Sequence, residues 1–168
     1  MLLGLSLLYV GVVLILNGIW LLGRIADREI IVINLSVAFI SLLVALHTAF
    51  FALTVSDVRA AAMTLLFALT YLWVAYNRMF ACDGRGLGWF SLIVALTVTP
   101  VALLGFTTAQ SAMDLWLACA WAAWAVLWFT YFLLLAVQMP IQRVTGLLTL
   151  GVGITTGWLP GLVLLYSN

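Results

Sequence analysis

Six long apolar runs, separated by short connections, constrain this chain more than any other feature. They cover residues 2–22, 30–53, 60–81, 87–106, 114–137 and 144–166. Crossing the hydrocarbon core of a bilayer takes about 20 apolar residues, and each run has that length. The charged side chains fall between the runs or at their ends: Arg24, Asp27, Arg28 and Glu29; Asp57 and Arg59; Arg78, Asp83 and Arg85; Asp114; Arg143. Backbone groups in lipid must be satisfied within the segment, so short-looped runs of this kind read as helices. The expectation is an all-α membrane protein, a six-transmembrane-helix bundle of three helical hairpins. Residues 1–168 read as one such unit, with no stretch left over for a soluble domain.

Charged residues make up 7% of the chain, against about a quarter in a soluble domain. Nucleic acid is excluded as a partner, because six arginines and no lysine, spread singly, form no basic patch. Residues 1–22 lack the basic start of a secretory signal and are too long for its apolar core, so they read as a retained transmembrane helix. Cys82 and Cys119 form no disulfide framework and read as inert thiols.

Arginine sets the orientation. Arg24, Arg28, Arg78, Arg85 and Arg143 lie in the first, third and fifth connections, and only Arg59 lies in the second and fourth. Positive charge marks the cytoplasmic side, so both termini are expected outside. Ser111 and Asp114 have capping-box spacing and should start the fifth helix. Pro100 and Pro160, inside the fourth and sixth runs, should kink them, and Pro140 should end the fifth. Trp20, Trp89 and Trp116 fall near the interfaces and read as an aromatic belt.

Large rings concentrate in the odd-numbered runs, which places those helices toward the centre of the bundle. Trp121, Trp124 and Trp128 sit at i, i+3 and i+7, on one helical face extended by Leu117 and Tyr131. Such a ladder is either packing or one wall of a narrow slot for a flat solute. In the first run Leu3, Leu7, Val10 and Leu14 form a stripe that ends at Asn17, and in the third Leu69, Trp73 and Tyr76 form another with Asn77 beside it. Helix–helix packing explains such stripes equally well. Asn17 and Asn77 both lie toward the inner side, where a buried amide needs a partner: each other, the backbone, or a passing amide.

No catalytic constellation is present: no HExxH, nucleophile elbow, GxGxxG or P-loop. An enzyme is not expected, nor a metal site or cofactor. His47, the one histidine, reads as bonded to a neighbouring helix, with proton relay as the minority reading. No carboxylate or arginine lies deep in a run, which argues against ion coupling and leaves transport of a small neutral solute open.

Residues 5–18 (LSLLYVGVVLILNG), 65–77 (LLFALTYLWVAYN) and 121–128 (WAAWAVLW), together with Trp158-Leu-Pro160, resemble the AmiS/UreI family of urea and amide channels. The matching blocks lie in order in four of the six runs. The resemblance implies six-helix protomers with a pore in each, a homo-hexameric ring in the bacterial cytoplasmic membrane, and passive conduction of urea or short aliphatic amides toward a cytoplasmic urease or amidase. It implies pore constrictions at Leu3, Leu7, Val10 and Leu14, at Leu69 and Trp73, and at Trp121, Trp124, Leu127 and Trp128. Two departures stand out. The second connection is short and lacks the histidines of the acid-gated members, so acid gating is not expected. Val152-Gly153 replaces a Glu-Gly pair, which removes a polar pore contact and could favour less polar amides.

The expected function is therefore a passive channel for small neutral amides, urea or acetamide-like, with membrane lipid around it. Two rivals stay open: an ion-coupled secondary transporter of amides, and a membrane scaffold subunit with no transport role.

Overall fold

The computed structural model describes residues 2–166. They form α1 (Leu2–Leu21), α2 (Ile30–Phe50), α3 (Val55–Met79), α4 (Arg85–Thr108), α5 (Ala112–Leu135), α6 (Gln142–Val152), a π-helical turn (Gly153–Trp158) and α7 (Leu159–Tyr166). The last three make one span, Gln142–Tyr166, so six spans have the length and apolarity to cross a membrane. No strand occurs among the described residues.

The connections are tighter than the apolar runs suggest. Residues 54–59, read as loop, already include the first turn of α3. Thr54 caps it: Thr54 Oγ1 accepts from Asp57 N at 3.2 Å, and Asp57 Oδ2 accepts from Thr54 N at 2.9 Å. The same reciprocal pair opens α5, where Ser111 Oγ accepts from Asp114 N at 3.1 Å and Asp114 Oδ2 accepts from Ser111 N at 3.0 Å. Two orphan amide groups are satisfied at each site, so the helices start at the polar residue rather than at the first apolar one. At the other end of α1, Gly23 (φ 76°) turns the chain left-handed, with Gly23 N on Trp20 O and Arg24 N on Ile19 O.

The spans pair as α2 with α3, α4 with α5, and α1 with the sixth span. Only the first two pairs are hairpins; the third joins the two ends of the chain. Its seam is made of glycine. Gly4, Gly11 and Gly18 recur every seven residues on α1, facing Leu164 and Leu165, Gly157, and Gly146 with Leu150. A Cβ on Gly11 would stand 2.7 Å from the Gly157 carbonyl carbon, and one on Gly18 would stand 2.7 Å from Leu150 N. Such contact lets backbones pack where lipid offers no hydrophobic drive between helices. Because Gly4 meets the end of α7, the start of α1 and the end of α7 lie on one side of the bundle, the outer side by the arginine distribution.

Pro160 lies two residues past the break it helps to create. Leu159 N bonds back five residues to Ile154 O, and proline has no N–H to continue the pattern onto Thr155 O. Trp116 Nε1 donates to that carbonyl instead, at 3.0 Å. Trp116 therefore satisfies the broken backbone as well as lying near a helix end. Pro100 sits within an uninterrupted α4. Exposed Leu, Phe and Ile side chains, among them Phe39, Ile93, Leu96 and Leu103, cover the outward faces of α2 and α4, as a lipid-facing surface requires.

Candidate solute passage

The inward faces of α1, α3 and α5, with Leu87 and Ser91 of α4, border three cavities in file. The outer one, about 250 Å³, is bordered by Leu3, Ser6, Leu7 and Val10 of α1, Met63, Thr64 and Phe67 of α3, and Trp121 and Trp124 of α5, with Arg59 at its rim. The middle one, about 30 Å³, is bordered by Leu14, Asn17, Phe67, Thr70, Tyr71, Val74, Leu87, Ser91, Trp124, Leu127, Trp128 and Tyr131. The inner one, also about 30 Å³, is bordered by Trp20, Leu21, Val74, Asn77, Arg78, Leu87, Tyr131 and Leu135. Neighbouring cavities share walls: Phe67 and Trp124 between outer and middle, Val74, Leu87 and Tyr131 between middle and inner. The odd helices all run from outside to inside, so residue number rises along the file on each. A water-sized site takes about 10–15 Å³, so the middle cavity has room for roughly two waters.

The sequence-predicted residues divide accordingly. Leu3, Leu7 and Val10 reach the outer cavity, Leu14 and Asn17 the middle, Asn77 the inner. Trp121 lines the outer cavity, Trp124 the outer and middle, Leu127 and Trp128 the middle. Leu69 and Trp73 are elsewhere, with Leu72 and Tyr76 in a crevice on the outward face of α3. Counting back from Asn77 by three, seven and ten residues reaches Val74, Thr70 and Phe67. The inward stripe of α3 was thus legible from Asn77, one register away from the stripe that was chosen. Val152 is buried in the core beside the passage and borders none of the three cavities. Phe67, Tyr71 and Ser91 were missed because aromatic and small residues at helical spacing read equally as packing.

The tryptophans are not a parallel stack. Trp121 and Trp124 meet edge to face, at 4.9 Å and 85°, and Phe67 inserts against Trp124 (4.9 Å, 81°) and Trp128 (4.8 Å, 54°). Helical spacing brings three indoles to one face, but neighbouring side chains set the ring planes. Threonines anchor them. Trp124 Nε1 donates to Thr156 Oγ1 at 2.8 Å and Trp128 Nε1 to Thr70 Oγ1 at 3.3 Å, while those hydroxyls donate to Val152 O and Leu66 O. The Thr156 anchor comes from the π-helical turn, so the break in the sixth span positions the indole at the narrow point.

Asn17 pairs with Asn34 of α2, not with Asn77. The two amides exchange bonds of 3.1 and 2.8 Å, and Asn34 Nδ2 also donates to Ile30 O at 2.9 Å. At the inner mouth Asp27 accepts from Trp20 Nε1 at 2.7 Å and pairs with Arg78 at 3.4 Å, with the guanidinium over the Trp20 ring. Trp20 thus joins a network at the inner end rather than a simple belt. His47 is exposed and packs on Phe51 at 4.8 Å, with no side-chain hydrogen bond among the described residues. It borders none of the cavities, and the expected bond to a neighbouring helix is not made among the described residues.

Between Arg59 and Arg78 no charged side chain borders the file among the described residues. Its walls are aromatic and aliphatic, with isolated hydroxyls and two amides, Asn17 and Asn77. Such a wall can take a small neutral polar molecule and has nothing to offset dehydration of an ion.

Comparison with known proteins places this geometry in a family. A model of the AmiS/UreI family transporter matches residues 2–168. A putative amidate substrates transporter protein of Mycolicibacterium smegmatis is 37% identical over 169 residues, covering 98% of this chain and 77% of the relative. The acid-activated urea channel of Helicobacter pylori is 33% identical over 197 residues, covering 99% and 98%. The cryo-EM structure of the Helicobacter pylori urea channel in its closed state superposes with a TM-score of 0.86 at 35% identity, over 97% of each chain. The alignment to that channel is longer than this 168-residue chain, so the relative carries residues that are missing here. The six spans, their pairing and the matched sequence agree, and the chain belongs to the AmiS/UreI family of transporters.

Proposed function

We propose that this protein is a passive channel that conducts small neutral amides, urea or short-chain aliphatic amides such as acetamide, across a bacterial cytoplasmic membrane. The observation that carries the reading is the file of three cavities through the bundle, aromatic at its narrow points and free of charge between its ends. A planar amide keeps contact with ring faces and edges while it sheds water. Hydroxyl and amide groups in the wall replace part of the lost hydration. A hydrated ion finds no counter-charge there, and desolvating it costs several kcal/mol, to order of magnitude.

Ion coupling is the weaker reading. A coupled transporter uses unwound backbone and a membrane carboxylate. Here the carbonyl freed by Pro160 is taken by Trp116, and no carboxylate borders the passage among the described residues. The channel is not acid-gated in this reading. The α2–α3 connection is only residues 51–54, and the one histidine is away from the cavities. The protein works as a homo-hexamer, each protomer with its own passage, supplying a cytoplasmic amidase or urease.

The test is stopped-flow light scattering on proteoliposomes. Acetamide and urea should equilibrate faster than in empty vesicles, with no dependence on a proton or sodium gradient. Flux equal to that of empty vesicles, or abolished by collapsing a gradient, sinks the proposal.

A further inference from the structure

We propose that Asn34, which borders none of the cavities, is a positioning residue that gives the passage its preference for carboxamides by holding the Asn17 amide in one of its two orientations. The inference rests on the channel reading above and goes one residue behind the wall.

A side-chain amide can turn by half a rotation and exchange its donor and acceptor ends with little change of shape. The Ile30 carbonyl removes that freedom here. It can only accept, so the Asn34 end that lies 2.9 Å away must be the nitrogen. The second Asn34 proton then points to Asn17 Oδ1 at 2.8 Å, and Asn34 Oδ1 receives Asn17 Nδ2 at 3.1 Å. Turning Asn17 alone would set oxygen against oxygen and nitrogen against nitrogen. Both residues are buried, Asn34 completely, so water does not relieve the mismatch. Asn17 keeps one N–H and one oxygen lone pair outside the pair, and it borders the middle cavity.

Counting protons around that cavity shows why this matters. Thr70 and Ser91 spend theirs on Leu66 O and Leu87 O. The Trp124 and Trp128 indoles spend theirs on Thr156 and Thr70. Thr149 donates to Thr145 O, so Tyr131 O–H donates to Thr149. Oxygen lone pairs remain to accept from a solute N–H, but few donors remain for its carbonyl: the Tyr71 hydroxyl and the second Asn17 N–H. An amide has a carbonyl that only accepts and N–H groups that only donate, so it depends on that N–H staying in place. A diol, whose hydroxyls both donate and accept, is indifferent to a flipped Asn17.

The experiment compares acetamide with ethylene glycol, a neutral solute of similar size, in proteoliposomes of native protein, Asn34→Leu, Asn17→Ala and the double variant. Asn34→Leu should lower the acetamide-to-glycol permeability ratio about tenfold, the value of one oriented hydrogen bond, with the oligomer intact by size exclusion. Asn17→Ala should lower it similarly, and adding Asn34→Leu to Asn17→Ala should lower it no further. An unchanged ratio in Asn34→Leu, or additive losses in the double variant, overturns the positioning role. Should Asn34→Leu fail to assemble, Asn34→Ala serves: it leaves Asn17 neither donor nor acceptor to pair with, so the ratio must fall, and an unchanged ratio again overturns the role. Native flux no faster than empty vesicles removes the channel reading itself; native flux with an unmoved ratio removes only the part assigned to Asn34.

Discussion

Phe67→Ala opens the wall between the outer and middle cavities. The ring touches Tyr71, Trp121, Trp124 and Trp128, with centroids 6.3, 6.2, 4.9 and 4.8 Å away. Truncating a core phenylalanine costs about 3–5 kcal/mol. Phe67 already borders two cavities, so part of its surface has no packing to lose, and the low end, about 3 kcal/mol, is expected. The melting temperature should fall while the glycine seam between α1 and the sixth span still holds the bundle. In transport, the spaces of about 250 and 30 Å³ merge and the first narrow point disappears. If that point sets about 1.4 kcal/mol of the barrier, its loss raises flux about tenfold. The gain should be larger for propionamide than for acetamide, because the wider solute is the one held back. Stopped-flow measurement of both amides on native and Phe67→Ala proteoliposomes gives the ratio directly. A propionamide-to-acetamide ratio within about twofold of native, in protein that remains monodisperse, refutes the assignment of Phe67 as the narrow point.

Thr156→Val strands the Trp124 indole N–H, because Thr156 Oγ1 is its partner; about 1–3 kcal/mol of stability should go, and Thr156→Ser, which keeps the hydroxyl, should restore most of it in the same thermal scan. Gly11→Leu meets the backbone of Gly157 and Trp158 rather than flexible side chains, so the pair of chain ends cannot close, and size exclusion should show aggregated protein where Gly151→Ala, with open space at its Cβ position, behaves as native. Acetamide flux should stay level between about pH 5 and pH 7.5, since no histidine borders the cavities and an unperturbed imidazole titrates at about 6.5; a rise at the acid end measured in buffered vesicles contradicts the ungated reading.

The spans and their number were legible in sequence because they follow from solvent alone, and the arginines give the bundle its expected orientation. A run of apolar residues has only one conformation that satisfies its backbone in lipid, and arginine has a preferred side. Ser111 and Asp114 were legible for a similar reason: the cap is a local bond between residues three apart. Thr54 and Asp57 carry the same signal and were hidden by the charged context that made residues 54–59 look like a loop. On α3 the stripe was misplaced by one register, choosing Leu69 and Trp73 over Phe67, Thr70 and Val74, since every residue nearby is apolar and periodicity cannot say which face turns inward.

Composition and local spacing thus determined a six-span helical membrane protein with aromatic odd-numbered helices and few charges to offer an ion. Which side chains meet across helices was left to the tertiary structure. The union of α1 with the sixth span, the Asn17–Asn34 pair, the insertion of Phe67 among the indoles and the rescue of the Thr155 carbonyl by Trp116 each join residues between 17 and about 160 positions apart. No local preference encodes such pairs. They arise because a buried polar group must find a partner, and two backbones approach this closely where at least one of them lacks a side chain.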